Sequence, residues 1–591
     1  MNNASLELGG TNWAEKDASL LGYTVSDDSG RFSPQEFTFA RGSNLSATRI
    51  DRAGLIVKGR ENLLLQSNQF DTTWTTSNAS VTSGQSGYDG TNDAWKLEST
   101  TTGGSFVKQD LSQSGVSTSS IYLKAGNANF VYFRVGGGTS QGGFINLTNG
   151  SVSDLLNSPI EIKATSVGNG WFRCVVVVNT SLTNVRYYVG DSAGSTSSNI
   201  GSFVYIQDAQ LEIGLAASPY IPTTTTSAQA GVLENTPRLN YTTGVANPYL
   251  LLEPSRSNLF PQSEYYASGA WTIQAISTTA NAVVSPEGLQ NASKLIPNSG
   301  TGGNRSLGKG FTGLSGIHTF STFAKAGEYG YVSLRLRNGP SAFVMFDLND
   351  GSIHNENNNA QSVAGSAKIE DYGNGWYRCS VSFDPSGSAT VGDLFPSLSV
   401  GITGDETFNW DGDGVSGIYI YGMQFEAGSY AASYIPTYSV SATRARDTCG
   451  KTNASGEINS TEGVLYTEIA KNNVLGSEGG LFLRKDTSNE IRLNLAPNNR
   501  INLFVNVGGV LQVYMDNSTF TLEDYNKIAV KYKLNDYSVF VNGTKIYTDT
   551  SALVPADMNE LKFNSLYGKV NAIQVYKEAL TDAELATLTT I

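Results

Sequence analysis

Apolar and polar residues alternate along this chain over short stretches at a spacing of two, and a sustained 3.6-residue helical period is missing. The clearest case is Lys527-Ile528-Ala529-Val530-Lys531-Tyr532-Lys533-Leu534, in which Ile528, Val530, Tyr532 and Leu534 would face a core and the lysines water. Asn535-Asp536 turns the chain into Tyr537-Ser538-Val539-Phe540-Val541, and Asn542-Gly543 marks a hairpin because both residues tolerate positive φ. Phe130-Val131-Tyr132-Phe133-Arg134-Val135 and Ser202-Phe203-Val204-Tyr205-Ile206 read as further strands bounded by Gly, Ser and Asn turns. A helix is expected only at the end, where Thr581-Asp582-Ala583-Glu584 is a capping box and Leu585 and Leu588 can pack down.

The strand pattern occurs twice. Arg60-Glu61-Asn62-Leu63 returns as Arg256-Ser257-Asn258-Leu259, Lys124-Ala125-Gly126 as Lys325-Ala326-Gly327, and Gly168-Asn169-Gly170-Trp171-Phe172-Arg173-Cys174 as Gly373-Asn374-Gly375-Trp376-Tyr377-Arg378-Cys379. Gln210-Leu211-Glu212 and Tyr220-Ile221-Pro222-Thr223 return as Gln424-Phe425-Glu426 and Tyr434-Ile435-Pro436-Thr437. The offset widens from 258 − 62 = 196 to 434 − 220 = 214, so order is kept while loops of the second copy lengthen. A period this long is duplication of a whole domain, each copy with its own core. Many short strands between turns argue for a two-sheet sandwich, and the length of each copy suits a jelly roll. Ser46-Ala47-Thr48-Arg49 before the first copy and Ser441-Ala442-Thr443-Arg444 after the second read as extended connectors.

Composition narrows the possibilities. With 591 residues the chain exceeds one core, and 15 % charged residues with a formal charge of −13 provide no basic footprint for nucleic acid. No apolar run reaches the roughly 20 residues of a membrane span, and the N-terminus lacks the pattern of a secretory signal, so synthesis in a cytoplasm is expected. Cys174, Cys379 and Cys449 are too few for a disulfide framework and are expected to stay reduced. Two histidines, His318 and His354, leave few bases for nucleophilic catalysis, and zinc, P-loop and Cys-x-x-Cys motifs are missing. A non-enzymatic protein is expected.

The segments Gly463-Val464-Leu465-Tyr466, Asn526-Lys527-Ile528-Ala529, Val541-Asn542-Gly543 and Ala579-Leu580-Thr581-Asp582-Ala583-Glu584-Leu585 resemble the laminin-G/concanavalin-A-like lectin modules of phage structural proteins. The duplicated unit, with its Arg-x-Asn-Leu entry, Gly-Asn-Gly-Trp turn and Tyr-Ile-Pro-Thr exit, resembles carbohydrate-binding-module-like domains of phage tail and virion proteins. The resemblance implies an all-β chain: an arm over 1–57 that attaches to the particle or covers the first jelly roll; jelly rolls over 58–224 and 255–440; linkers over 225–254 and 441–455; and a laminin-G-like sandwich over 456–591. It also implies a tail-fibre or receptor-binding protein on the virion surface, made in a bacterial cytoplasm, a homotrimer with other virion proteins and host-surface polysaccharide or glycan as partners. A purely structural capsid decoration or head fibre is the alternative.

Sugars stack their CH faces on aromatic rings and bond their hydroxyls to amides and carboxylates. Trp171, Trp376, Trp74 and Trp271 recur in both copies and are expected in cores, whereas Trp410 stands outside the match on a lengthened loop. Trp410, Asp405, Asp411, Asp413 and Asn338 are therefore the candidate carbohydrate-binding residues. Asp405, Asp411 and Asp413 either hold calcium, which takes several oxygen ligands, or form a solvated acidic loop.

Overall fold

The computed structural model describes the chain except residues 1–3, 11–12, 17–18, 26–31, 44, 243, 301–304, 338–341, 358–361, 385–394, 402–410, 473–478 and 565. The described chain is all-β: two tandem jelly rolls, a concanavalin-A-like sandwich and a short terminal helix.

Each repeat forms two six-stranded antiparallel sheets with one strand order. In the first, Glu161–Gly168, Trp171–Asn179, Val116–Ala125, Phe203–Ile213, Ala94–Ser99 and Ala79–Gln85 face Val152–Leu156, Gln141–Asn146, Phe130–Val135, Leu182–Gly190, Phe106–Gln113 and Thr75–Ser77. The second repeats this order strand for strand from Thr272–Gln274 to Ile418–Ala427. Alternate residues of Trp171–Asn179 split between two environments. Phe172, Cys174, Val176 and Val178 enter the first core, while Val175 and Val177 pack with Leu215 against Tyr265 and Ala280 of the second copy. The continuous apolar run in this strand is thus explained by burial on both faces.

The recurring motifs are the ties of each copy. Asn62 is fully buried; its amide donates to the carbonyls of Ala209 and Ile221 and its oxygen accepts from the Leu64 and Leu211 amides. Asn258 makes the same four bonds to Met423, Ile435, Phe260 and Phe425. Ser67 and Tyr220, like Ser263 and Tyr434, meet through hydroxyls 2.6 Å apart. In the Gly-Asn-Gly-Trp turns Asn169 and Gly170 have φ of 52° and 78°, and Asn374 and Gly375 54° and 76°, the positive values of a tight hairpin.

The C-terminal sandwich is discontinuous in sequence, which corrects the domain boundaries read above. One sheet carries Glu462–Lys471, Asn526–Lys533, Tyr537–Val541, Thr544–Asp549 and Gly568–Tyr576, but Leu6–Gly9 and Tyr249–Leu252 pair side by side along the free edge of Gly568–Tyr576. In the other, Ser19–Val25 pairs with Phe32–Ala40, then Thr448–Lys451, Glu560–Asn564, Gly479–Asp486, Asn489–Ala496, Arg500–Val507 and Val510–Asn517. Leu6, Leu8, Leu20, Phe37, Phe39, Leu250 and Leu252 join Ile573 and Leu483 in one core. The segment 1–57 is therefore not a separate arm laid over the first jelly roll. Its alternating apolar residues need a core, and an open strand edge with unpaired backbone groups supplies one.

Residues between this sandwich and the first repeat form a hairpin, Thr48–Ile50 with Ile56–Lys58, seated on the second jelly roll. Thr48 donates to the Tyr434 carbonyl, and Ile56 packs with Phe323, Trp376 and Tyr421. Lys58, 1 % exposed, bonds Glu264 at 2.6 Å and lies 3.1 Å from Glu287, which also pairs with Arg60. The terminal helix Asp582–Thr589 carries the expected capping box, with Thr581 and Glu584 exchanging bonds and Leu585 buried.

Candidate functional site

The loop residues singled out by sequence are placed only in part. Trp410, Asp405 and Asn338 lie outside the described residues. Asp411 and Asp413 are exposed, and Asp413 is occupied locally: it accepts from the Val415 and Ser416 amides at 2.8 and 2.7 Å and from the Ser416 hydroxyl at 2.5 Å. The Ser416 hydroxyl bond and these amides hold its carboxyl down at about 2. Among the described residues no group of three or more His, Cys, Asp or Glu is arranged to hold a metal ion. Trp171 and Trp376 are 1 % and 2 % exposed and Trp74 and Trp271 5 % and 6 %, so none offers a ring to a sugar.

The structure brings together a different site, a cleft of about 420 Å³ where the 48–58 hairpin, the inter-repeat segment, the second jelly roll and the C-terminal sandwich meet. Junctions between domains are a usual place for ligand pockets of this size. Tyr249, Tyr372 and Tyr430 line it with Asn240, Lys368 and Lys569. Asn240 ties two walls, donating to the Tyr249 hydroxyl at 2.6 Å and accepting from the Ile50 amide at 2.6 Å. The Lys569 ammonium lies 5.5 Å from the centroid of the Tyr249 ring. Tyr372 stands edge-on to Phe323 with centroids 4.9 Å apart, and burial pushes its hydroxyl up to about 12. The Arg256 guanidinium covers the Tyr430 ring at 5.3 Å.

Behind the cleft lies a buried ion cluster. Arg238 reaches Glu253 at 2.5 Å and also Asp447, Arg444 reaches Glu253 at 3.0 Å, and Arg41 reaches Asp447 at 3.3 Å. Ser433 adds bonds from its amide and hydroxyl to Glu253 at 2.8 and 2.6 Å. Burial opposes ionisation of Glu253, but Arg444 and Arg238 outweigh it and keep the carboxyl well below the usual range. Arg41 is brought down to about 10 by burial, with Asp447 opposing and Arg238 and Arg444 adding to the fall. The recurring Ser-Ala-Thr-Arg segment thus has a role in its second occurrence, where Arg444 is fully buried.

A second polar focus lies in the first jelly roll. Asp208, 6 % exposed, accepts from the Tyr88 hydroxyl at 3.0 Å beside Asp93 and Asp89. Its φ is 54°, and Gly422 holds the equivalent bulge of the second copy at 62°. Burial raises its carboxyl to about 7; the Tyr88 bond opposes this and Asp93 and Asp89 reinforce it.

The cleft escaped sequence analysis because its walls come from four distant segments. The one available signal was Tyr249-Leu250-Leu251-Leu252, an apolar run in a segment read as a linker.

No family model matches this chain, and no curated protein does. Among solved structures, the CBM40 module of a Ruminococcus gnavus IT-sialidase bound to α2,3-sialyllactose is 17 % identical over 22 % of this chain and 84 % of that one, with a TM-score of 0.21. The tandem CBM22-1–CBM22-2 domain of Paenibacillus barcinonensis Xyn10C is 11 % identical over 66 % and 100 %, at 0.20. The LG1-3 region of the laminin α2 chain is 10 % identical over 81 % and 96 %, at 0.13. Likenesses at TM-scores this low say nothing of what the chain binds. Its class rests on its own topology: tandem jelly rolls joined to a concanavalin-A-like sandwich.

Proposed function

We propose that this chain is a non-catalytic glycan-binding protein and that the interdomain cleft is its sugar site. The observation that carries the reading is the lining: four tyrosines, of which Tyr372 and Tyr430 are half-buried and Tyr249 and Tyr434 buried, beside amide and ammonium groups in one cavity of about 420 Å³. Rings supply faces for CH stacking and the polar groups fix hydroxyls. The setting we propose is a bacteriophage particle of tail-fibre or receptor-binding type, assembled in the host cytoplasm, trimeric, in contact with other virion proteins and host-surface glycans. That part rests on the composition and on the recurring motifs. Calcium at the 405–413 loop belongs to the same proposal, with Asp405 and Asp411 as the remaining ligands.

Binding to a glycan array by the full chain, compared with Tyr372→Ala and Tyr430→Ala, tests the reading. Loss of at least tenfold in affinity with an unchanged melting temperature is expected; an array blank for the intact chain overturns it.

One observation favours a second reading, a structural decoration or head-fibre protein. The sandwiches are locked by buried ion pairs and shared strands, as a rigid spacer requires. Electron microscopy of the particle separates the two by the position of the chain.

A further inference from the structure

The charges around the cleft are arranged in depth. Its basic lining is mostly withdrawn from solvent: Arg378 and Lys471 are 5 % exposed, the Arg49 side chain is 25 % exposed and pairs with Glu15 at 3.8 Å, and Lys569 is half-buried. Of the acidic lining, Glu370 and Glu523 stand exposed at the rim. Glu253 is buried, but Arg238 and Arg444 already hold it. Charges deep in a cleft act through a low dielectric and escape salt screening, whereas rim charges are screened. The inner field is therefore set by the basic groups.

The cluster behind the wall adds to this. It holds three arginines, Arg41, Arg238 and Arg444, against two carboxylates, Glu253 and Asp447. The excess of positive charge is felt by Arg41, whose proton is loosened first by burial and further by its two arginine neighbours. At the mouth, Lys368 is exposed, and neither it nor Lys569 forms an ion pair among the described residues. All of this lies in a chain whose formal charge is −13. A positive recess in an acidic protein attracts anions selectively, because the outer surface repels them.

We infer that the cleft takes an anionic saccharide, its acidic group directed inward toward Lys569 and its ring against the tyrosines. The inference rests on the glycan reading above and specifies the ligand's charge. Carboxylated and sulfated sugars share the required chemistry.

The test is calorimetry on the full chain with uronate-, sialate- and sulfate-bearing oligosaccharides, each paired with its methyl-esterified or desulfated form, at low and moderate salt. The acidic forms should bind at least tenfold more tightly than their neutral partners, and weaken as salt rises. Lys368→Gln with Lys569→Gln should cost the acidic forms at least fivefold more than it costs the neutral forms, while Glu523→Gln should tighten acidic binding about twofold. Melting temperatures confirm that the variants fold. Equal affinity of acidic and neutral forms, or an unchanged affinity in the lysine double variant, overturns the inference. So does displacement of the sugar by inorganic sulfate at equal concentration, which marks a simple anion hole. Equal affinities that still fall with Tyr372→Ala leave the glycan reading standing; failure of every sugar to bind removes both.

Discussion

Leu8 lies directly opposite Ile573 in an antiparallel ladder, and both are 1 % exposed in one core. The start and the end of the chain are thus joined in a single sheet, with both jelly rolls inserted between them. Deleting residues 1–10 removes Leu6 and Leu8 from that core and bares the edge of Gly568–Tyr576. At about 1.5–3 kcal/mol per buried leucine, the C-terminal sandwich should lose about 3–6 kcal/mol. A fragment of 456–591 alone should fail to fold, seen as poor chemical-shift dispersion and rapid proteolysis; a stable monomeric fragment would count against the shared sheet.

Arg238 is held without exposure between Glu253 and Asp447. Replacing it with methionine leaves two buried carboxylates short of a cation, so denaturant unfolding should show a loss of about 3–5 kcal/mol. The same change at Arg500, which pairs with Asp516 with 44 % of its side chain exposed, should cost under about 1 kcal/mol.

Asn258→Ala strands two backbone amides and two carbonyls in the second jelly roll. A loss of about 3 kcal/mol or more is expected, and Asn62→Ala should cost the first copy a similar amount. The readout is the unfolding midpoint of each copy, followed by hydrogen exchange at Leu211 and Phe425. Protection unchanged in both variants rules out the four-bond tie.

Asp208 provides a pH signature. Its carboxyl is raised from 3.8 to about 7 in the folded chain, so between these values the folded state holds a proton that the unfolded state has released. Stability therefore falls as pH rises through this window, by up to about 4 kcal/mol at one pKa unit per 1.4 kcal/mol. Asp208→Asn keeps an acceptor for Tyr88, tolerates the positive φ, and should flatten the pH dependence while raising stability at pH 8. Parallel pH profiles for the two proteins would dismiss the assignment.

The alternation of Ile528, Val530 and Tyr532, the hairpin at Asn542-Gly543, the capping box at Thr581 and the duplication itself were legible because each is a local signal: side-chain period, backbone φ preference, short-range hydrogen bonding, or direct identity. Leu534, expected in the core, is 57 % exposed because the strand ends at Lys533, and Lys531, expected in water, is buried and pairs with Asp536. Asn62 and Asn258 were visible as recurring residues, and their burial explains why the motif repeats. What the chain alone left undecided was every relation between distant segments. An isolated Leu6-Glu7-Leu8 does not say which edge it joins, since strand pairing is set by backbone groups common to all residues. Tyr249-Leu250-Leu251-Leu252 looked like part of a linker for the same reason. Arg41, Arg238, Glu253, Arg444 and Asp447 are unremarkable charges along the sequence, and only packing withdraws them together from water, where a charge must find its counterpart. The cleft follows from that packing: its walls come from four segments, so its shape and the charges that line it come together only once the second jelly roll and the C-terminal sandwich have closed on the 48–58 hairpin and the inter-repeat segment.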